Sequence, residues 1–453
     1  MTKIETARAK RTKLTNWFQL LVVVAAVLLL AGFRGIRSTP SPPAHDPGVR
    51  EGAAGAGGPI DGLTRAQLAF FRAGKAAFEE EESIDDGRGP RFNFISCVGC
   101  HQQPKTGGTS PFTNPQFAGI GEFPGNVVPF FITENGPIRE ARFQFNPDGT
   151  RDGGVHNLFV IQRENCQLQQ PDFVKEFKRK NLIFRIPTPL FGGGLIEQIP
   201  DAAIVANLGA NTARKSSLGI FGRPSRISGD PNNNGNDGTI ARFGWKAQNK
   251  SLLLFSGEAY NVEMGITNEL FQTEREEATD CQFAPTPNDV TEPGTGEISD
   301  IEQFAFFARF LAPPSQSPDT PGGSASIANG RQVFADIGCA LCHTPTLKTG
   351  YATVTALADT DVNLYSDLSL HQMGVGLADG IIQGQAQGNE FRTAPLWGLG
   401  QRIFFLHDGR TSDLIEAIHE HRSVGSEANK VVTNFNALDE GVKQNLLNFL
   451  RSL

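Results

Sequence analysis

A chain of 453 residues can bury two or three cores, and its net charge of −7 offers no general basic surface for nucleic acid. Fifty Gly and 28 Pro point to long ordered loops rather than a helix-only protein. Phe is favoured, with 34 copies against three Tyr and three Trp, which suits an apolar pocket, although ordinary core filling accounts for nearly all of them.

The chain opens with Lys3, Arg8, Lys10, Arg11 and Lys13, followed by an apolar run over residues 17–33. The run falls at the short end of the roughly 17–25 residues that span a bilayer, so residues 1–33 read as a long signal peptide or a membrane anchor. No A-x-A cleavage site and no lipobox cysteine follow, which favours an anchor. The basic residues ahead of the run, against Arg34 and Arg37 behind it, put the N-terminus in the cytoplasm. The remainder is then expected on the periplasmic side of the inner membrane, or free in the periplasm if the segment is cleaved. Residues 34–61, rich in Pro, Gly and Ala, read as a flexible tether.

Thr64-x-x-Gln67 is a capping box for a first amphipathic helix, with Leu68, Phe71 and Phe78 on or near one face. Next comes Cys97-Val98-Gly99-Cys100-His101, and the pattern recurs as Cys339-Ala340-Leu341-Cys342-His343. In C-x-x-C-H, two thiols a helical turn apart form thioethers with haem vinyl groups while the adjacent histidine reaches the iron. Two such motifs predict two covalently attached c-type haems, with His101 and His343 as iron ligands. A four-thiolate zinc site is the alternative, but the pairs lie far beyond the roughly 15–20 residue gap of a zinc ribbon, and a histidine follows both. Gly74-Lys-Ala-Ala-Phe78 precedes the first motif and Gly330-Arg-Gln-Val-Phe334 the second. The Gly permits close helix crossing and the Phe packs near a porphyrin, so the chain reads as two diverged haem domains.

From about 125 to 260, short extended runs (127–133, 158–162, 182–186) alternate with Gly and Asn clusters and read as a loop- and β-rich insertion in the first domain. Ser299-x-x-Glu302 caps a helix carrying Phe304, Phe307 and Phe310, and residues 313–324 form a Pro/Ser/Gly linker. A final helix presents Leu438, Val442, Leu446, Phe449, Leu450 and Leu453 as one apolar stripe. The predicted fold is mainly α, with an N-terminal haem domain plus insertion over 62–312 and a C-terminal cytochrome c-type haem domain over 325–453. Four of six cysteines belong to the motifs, leaving Cys166 and Cys281 as a disulfide expected in an oxidising compartment, two buried thiols being the alternative.

Phe391-Arg-Thr-Ala-Pro-Leu396, Phe405-Leu-His-Asp-Gly409 and Leu414-Ile-Glu-Ala-Ile418 resemble the bacterial dihaem cytochrome c peroxidase and MauG-like superfamily. Leu370-His-Gln-Met-Gly374, Leu377-Ala-Asp-Gly380 and Gly244-Trp-Lys246 are similar to its di-haem oxidoreductase branch, also called thiol oxidoreductases, over roughly residues 62–453. The resemblance implies a closed-site ligand fourteen residues after the His of the His-Asp-Gly motif, where peroxidases have methionine and this chain has His421. A bis-histidine iron has a lower potential than a His/Met one. Met373 and His371 are rival ligands, an exposed helix end is the plain reading of His421, and His407 is expected to hydrogen-bond a haem propionate.

For the first haem the resemblance implies a displaceable histidine just beyond the motif, yet none occurs between His101 and His156. His156 is then a candidate ligand or acid/base group, and Met264 the other candidate ligand, with packing or loop roles equally open. Trp245 is a candidate electron relay between haems. Peroxidases of this superfamily bind calcium through Thr and Pro carbonyls where this chain has Arg402 and Phe404. Asp230-Pro-Asn-Asn-Asn-Gly235 starts like a calcium loop but has Ala241 at the bidentate position, so calcium is not favoured. The expected function is a dihaem c-type oxidoreductase. It takes electrons from a periplasmic donor and delivers them to peroxide or another oxidant at the N-terminal haem. A pure electron carrier with both irons six-coordinate is the alternative.

Overall fold

The computed structural model describes residues 42–119, 123–227, 240–273 and 278–453. The expected anchor at 1–33 and the turn at 230–235 lie outside the described residues. Among the described residues, no helix is long and apolar enough to cross a membrane. The unit from Ala44 to Leu453 is mostly helical with several small antiparallel sheets.

Helix α1 (Arg65–Glu79) opens on the capping box: Thr64 accepts from the Gln67 amide while Gln67 accepts from the Thr64 amide. A short helix α2 (Cys97–Cys100) carries the first motif, α3 spans Leu252–Met264, and α4 (Asp300–Phe310) crosses α1. At that crossing a Cβ on Gly74 would lie 2.1 Å from the Gln303 carbonyl oxygen. Helix α4 has Ser299 at its cap position without a side-chain cap bond. Instead the Asp289 carboxylate accepts from the amides of Asp300 (2.7 Å) and Ile301 (3.1 Å), an anion on the positive end of the helix. The local S-x-x-E pattern marked the boundary correctly but not the group that satisfies it.

Helix α5 (Ser324–Ile337) leads to the second motif, α6 spans Leu414–Glu420, and the terminal α7 (Glu440–Ser452) buries Leu446, Phe449 and Leu450. Helices α5 and α7 repeat the crossing of α1 and α4: a Cβ on Gly330 would lie 2.0 Å from the Asn445 carbonyl oxygen. Gly330→Ala should therefore destabilise the fold by about 1–3 kcal/mol, because the clash with backbone outweighs the ~1 kcal/mol helix preference of Ala over Gly. Urea unfolding measures this, and a variant as stable as the parent would show that the helices can separate freely.

The insertion holds a three-stranded sheet in which β1 (Glu140–Phe143) lies between β2 (Val155–His156) and β3 (Leu182–Arg185), with Ala141 facing both His156 and Phe184. It also contains helices over Phe173–Lys178, Gly193–Glu197, Asp201–Gly209 and Thr212–Leu218, besides α3. The loop- and β-rich expectation is corrected on this point, because the Gly and Pro read as breakers also start helices. Gly192, at φ 66°, leads into Gly193–Glu197, and Pro200 directly precedes Asp201–Gly209. Cys166 and Cys281 form a disulfide, as the sequence suggested, closing a separation of 115 residues beneath Val160 and Leu168. Residues preceding α1 lie along the C-terminal helices, where Asp46 accepts from Arg451 and caps the Leu414 amide at 2.8 Å.

Candidate functional site

Ser96 caps α2 by accepting from the Gly99 amide, which sets Cys97 and Cys100 one turn apart with His101 at the helix end. The His101 Nδ1–H donates to the Gly108 carbonyl at 2.9 Å, and the edge of Phe78 from α1 lies 5.9 Å away between ring centres. The second motif is built alike. Cys339–Leu341 forms a tight turn, His343 Nδ1–H donates to the Tyr365 carbonyl at 3.1 Å, and Phe334 of α5 sits 6.4 Å away. The Phe of each Gly-x-x-x-Phe echo thus packs on its motif's histidine.

Each motif lines its own cavity. Cys97, Cys100 and His101 wall one of about 1330 Å³, counting its open mouth, and Cys339, Cys342 and His343 wall another of about 1440 Å³. Two thiol pairs in separate cavities cannot close one tetrahedral zinc site. Burial pushes the thiols of Cys97, Cys100 and Cys339 up, so they are protonated rather than thiolate. Among the described residues, no cluster of three or more His, Cys, Asp or Glu is arranged to hold a bare metal ion.

The histidines fit a metal that brings its own ring. Burial lowers the His101 pKa despite the Gly108 bond, and burial together with the facing His421 lowers that of His343 to about 4. Both imidazoles are neutral with the proton on Nδ1, so Nε2 keeps its lone pair and would be free to hold an iron. His421, which ends α6, lines the second cavity with His343, and its Nδ1–H donates to the Ala417 carbonyl at 2.7 Å. It therefore presents the same neutral form, and its Nε2 has no partner among the described residues.

Met373, half-buried, lines this cavity too. His371 does not share the free-nitrogen arrangement: Nε2 lies 2.9 Å from Asp367 and Nδ1 2.7 Å from Glu427. Burial opposes its charge, but Cys342 and Asp367 outweigh that and raise its pKa well above the ordinary value. Both ring nitrogens are spent on carboxylates, leaving none for iron.

His407 also lines the second cavity, stacked on Phe391 at 4.4 Å, with its pKa lowered to about 4 by burial. Trp245 borders both cavities, its Nε1–H donating to the Ile186 carbonyl at 2.9 Å and its ring meeting the edge of His407 at 6.4 Å. Met264, at the end of α3, is buried and lines the first cavity with His101. His156 lies elsewhere. It stacks on Phe143 at 3.7 Å and pairs with Asp152 at 2.8 Å, and it is not among the residues that wall either cavity.

The two cavities differ in their walls. The second is mostly apolar but holds Arg392, Arg402 and Glu427, whereas the first brings together Asn93, Glu140, Arg142, Arg185, Glu258 and Glu263. Glu140, on β1, would be raised by burial, but Arg142 and Arg185 hold it below the usual carboxylate range, and Glu263 hydrogen-bonds to it. Burial and that neighbouring charge push Glu263 well above the range, so the proton resides on Glu263 and points to an ionised Glu140. Asn93 Nδ2 donates to Glu263 at 2.6 Å, and Asn249 donates to Glu258, which burial also raises. Sequence reasoning missed this group. The only local signal was Glu258 and Glu263 on the otherwise apolar run of α3, and nothing in the sequence paired them with a strand more than a hundred residues earlier.

Two cavities, each with a thiol pair, a phenylalanine-backed neutral histidine and a common indole wall, fit a chain built around two haem groups. The family described as "Di-haem oxidoreductase, putative peroxidase" matches residues 168–453, more than half of the chain, and the chain belongs to that family. The first motif lies ahead of the matched span. No curated protein matches the chain in sequence. Among solved structures, hydrazine synthase of Kuenenia stuttgartiensis, pressurized with 20 bar xenon, aligns with 93% of this chain and 99% of its own at 14% identity and a TM-score of 0.36, too distant to carry an argument.

Proposed function

We propose that this di-haem oxidoreductase reduces a small oxidant such as peroxide at the first cavity, using electrons that arrive through the second. The observation that carries the reading is the Glu140–Glu263 pair of carboxyls in the first cavity's wall; in the second cavity's wall Glu427 is paired with His371 instead. Bound through thioethers to Cys97 and Cys100 and to Cys339 and Cys342, haem would supply the irons that accept and pass on electrons.

The chain's own residues handle orientation and protons. His101 and His343 offer Nε2 as neutral ligands, and His421 closes the second site. Ionised Glu140 accepts a proton from an entering peroxide and later returns it, while protonated Glu263 gives one to the oxygen that leaves as water. Overall the peroxide takes two electrons from the donor and two protons, one from Glu263 and one from solvent, and becomes two waters. Arg142 and Arg185 stabilise negative charge as the O–O bond breaks. Trp245, in the wall common to both cavities, offers an aromatic bridge for electrons.

We further propose that residues 1–33 tether the protein to the periplasmic side of the inner membrane and that a periplasmic protein donates electrons. The disulfide supports an oxidising compartment.

A pure electron carrier is the second reading, favoured by Met264, a buried thioether in the first cavity's wall. Ferric electron paramagnetic resonance separates the two, because high-spin signal marks an open or water-bound iron, whereas wholly low-spin protein inert to peroxide supports the carrier. Covalent loading has its own test. Intact mass and pyridine haemochrome should show two haems per chain, falling to one when Cys97 and Cys100 are both replaced by serine; a single haem in the parent chain would refute the two-site reading.

A further inference from the structure

Several deeply buried cations of this fold are paired with carboxylates. Arg185 and Lys246 lie against Asp379 at 2.8 and 2.9 Å, Arg451 against Asp46 at 2.5 Å, and Arg242 against Asp201. That pattern follows from the cost of stripping water from a charge, several kcal/mol for each unpaired ion. Lys215 departs from it with two backbone carbonyls as partners, and Arg392 and Arg402 depart from it side by side in one cavity wall. Each of these arginines is only 8% exposed. Arg392 donates to the carbonyls of Gly244 (2.8 Å) and Thr393 (3.2 Å), which carry no charge. Asp367 attracts it, but that carboxylate is already engaged by His371 and by the Ser369 amide at 3.0 Å. The Arg402 guanidinium has no hydrogen-bond or ion-pair partner among the described residues.

The two side chains are near enough for their charges to repel, and burial lowers both to about 10. They still carry positive charge at neutral pH. Both line the second cavity, and both also line a small neighbouring cavity walled by Trp245 and Trp397. Two buried cations side by side on one wall call for an anion with two negative groups. His407, neutral and stacked on Phe391, offers no charge for that role.

We propose that Arg392 and Arg402 form the subsite for the two carboxylates of the tetrapyrrole in the second cavity. The proposal rests on the two-haem reading. It turns the carboxylate edge of that ring toward the wall shared with Trp245, while Cys339 and Cys342 hold another edge. The two guanidiniums offset the carboxylate charge next to the redox centre, which favours the reduced state, one unit more negative, over the oxidised state. Arg402 is a positioning and potential-setting residue in this scheme. The planar fork of arginine matters as well as its charge, since lysine cannot form the bidentate pair.

The test uses the full-length protein carrying its haems, comparing the parent with Arg392→Gln, Arg402→Gln and Arg402→Lys. Haems are counted by pyridine haemochrome, and each midpoint potential is followed by redox titration of its own electron paramagnetic resonance signal. Two haems should remain in every variant. Arg392→Gln and Arg402→Gln should each lower the potential of the second haem and leave the first unmoved. Arg402→Lys should retain most of the potential yet move the propionate bending band in the resonance Raman spectrum. An unmoved second potential in both glutamine variants, or a shift confined to the first haem, would overturn the subsite. An unmoved Raman band in the lysine variant overturns it even if the glutamine variants do not fold. Fewer than two haems in the parent would instead defeat the two-haem reading beneath it.

Discussion

His421→Ala is expected to convert the second haem from low-spin to high-spin and to leave the spectrum of the first largely unchanged. The expectation rests on geometry specific to this cavity. His421 ends α6, its Nδ1–H is fixed on the Ala417 carbonyl, and its backbone carbonyl accepts from Ser426 Oγ at 2.6 Å. It is close enough to His343 to oppose that ring's protonation, and burial lowers the pKa of both, so both remain neutral ligands at neutral pH. Alanine removes a free imidazole nitrogen that lines the cavity with His343, whereas both nitrogens of His371 are held by carboxylates and His407 is stacked on Phe391. Met373, half-buried, is a thioether donor in the same wall. If the substitution leaves the haem low-spin, Met373 takes the sixth position. His421→Met should raise the potential of this haem, because a thioether favours ferrous iron. Both results are read from the visible spectrum and a redox titration of the purified protein.

The parts of this site that were legible in the sequence are those whose chemistry is local. C-x-x-C-H fixes two thiols and a histidine within one turn. Gly74 and Gly330 reveal their helix crossings because a Cβ at either would meet backbone. The Thr64 capping box is complete within four residues. His421 stands where the family resemblance implies a ligand, fourteen residues after His407, and the short helix α6 brings it into the second cavity's wall. The insertion was harder. Its Gly and Pro mark chain reversals and helix starts equally well, so four short helices were read as loops and strands. The Glu140–Glu263 pair was out of reach for a different reason: it joins a central strand to the end of α3, and no periodicity links residues that meet only in the folded chain. His156 shows the converse. It attracted attention as the only histidine in its stretch, but it stacks on Phe143 of the sheet and pairs with Asp152 in the loop before it, and it walls neither haem-motif cavity.

Glu263→Gln should lower peroxide turnover by about 10²–10⁴-fold while leaving both haems bound, if the pair supplies the protons. Glutamine keeps a donor toward Glu140 and an acceptor for Asn93, so the wall retains its shape, but it has no transferable proton. The pH dependence gives an independent check. Glu263 has a folded pKa raised above the ordinary value of about 4.3, so the folded state binds the extra proton and its contribution to stability declines as pH rises through the folded pKa. As a proton donor it also loses activity over that same alkaline limb. The variant should therefore lack the alkaline limb of the rate profile and be at least as stable as the parent at high pH, against its large loss of rate. Stopped-flow peroxide consumption and urea unfolding at several pH values measure the two effects separately. A variant with parental turnover, or one whose rate loss is matched by a loss of stability, would remove Glu263 from the chemistry. Glu258, half-buried on the same helix and raised by its surroundings, would then be the remaining carboxyl in the wall able to deliver a proton.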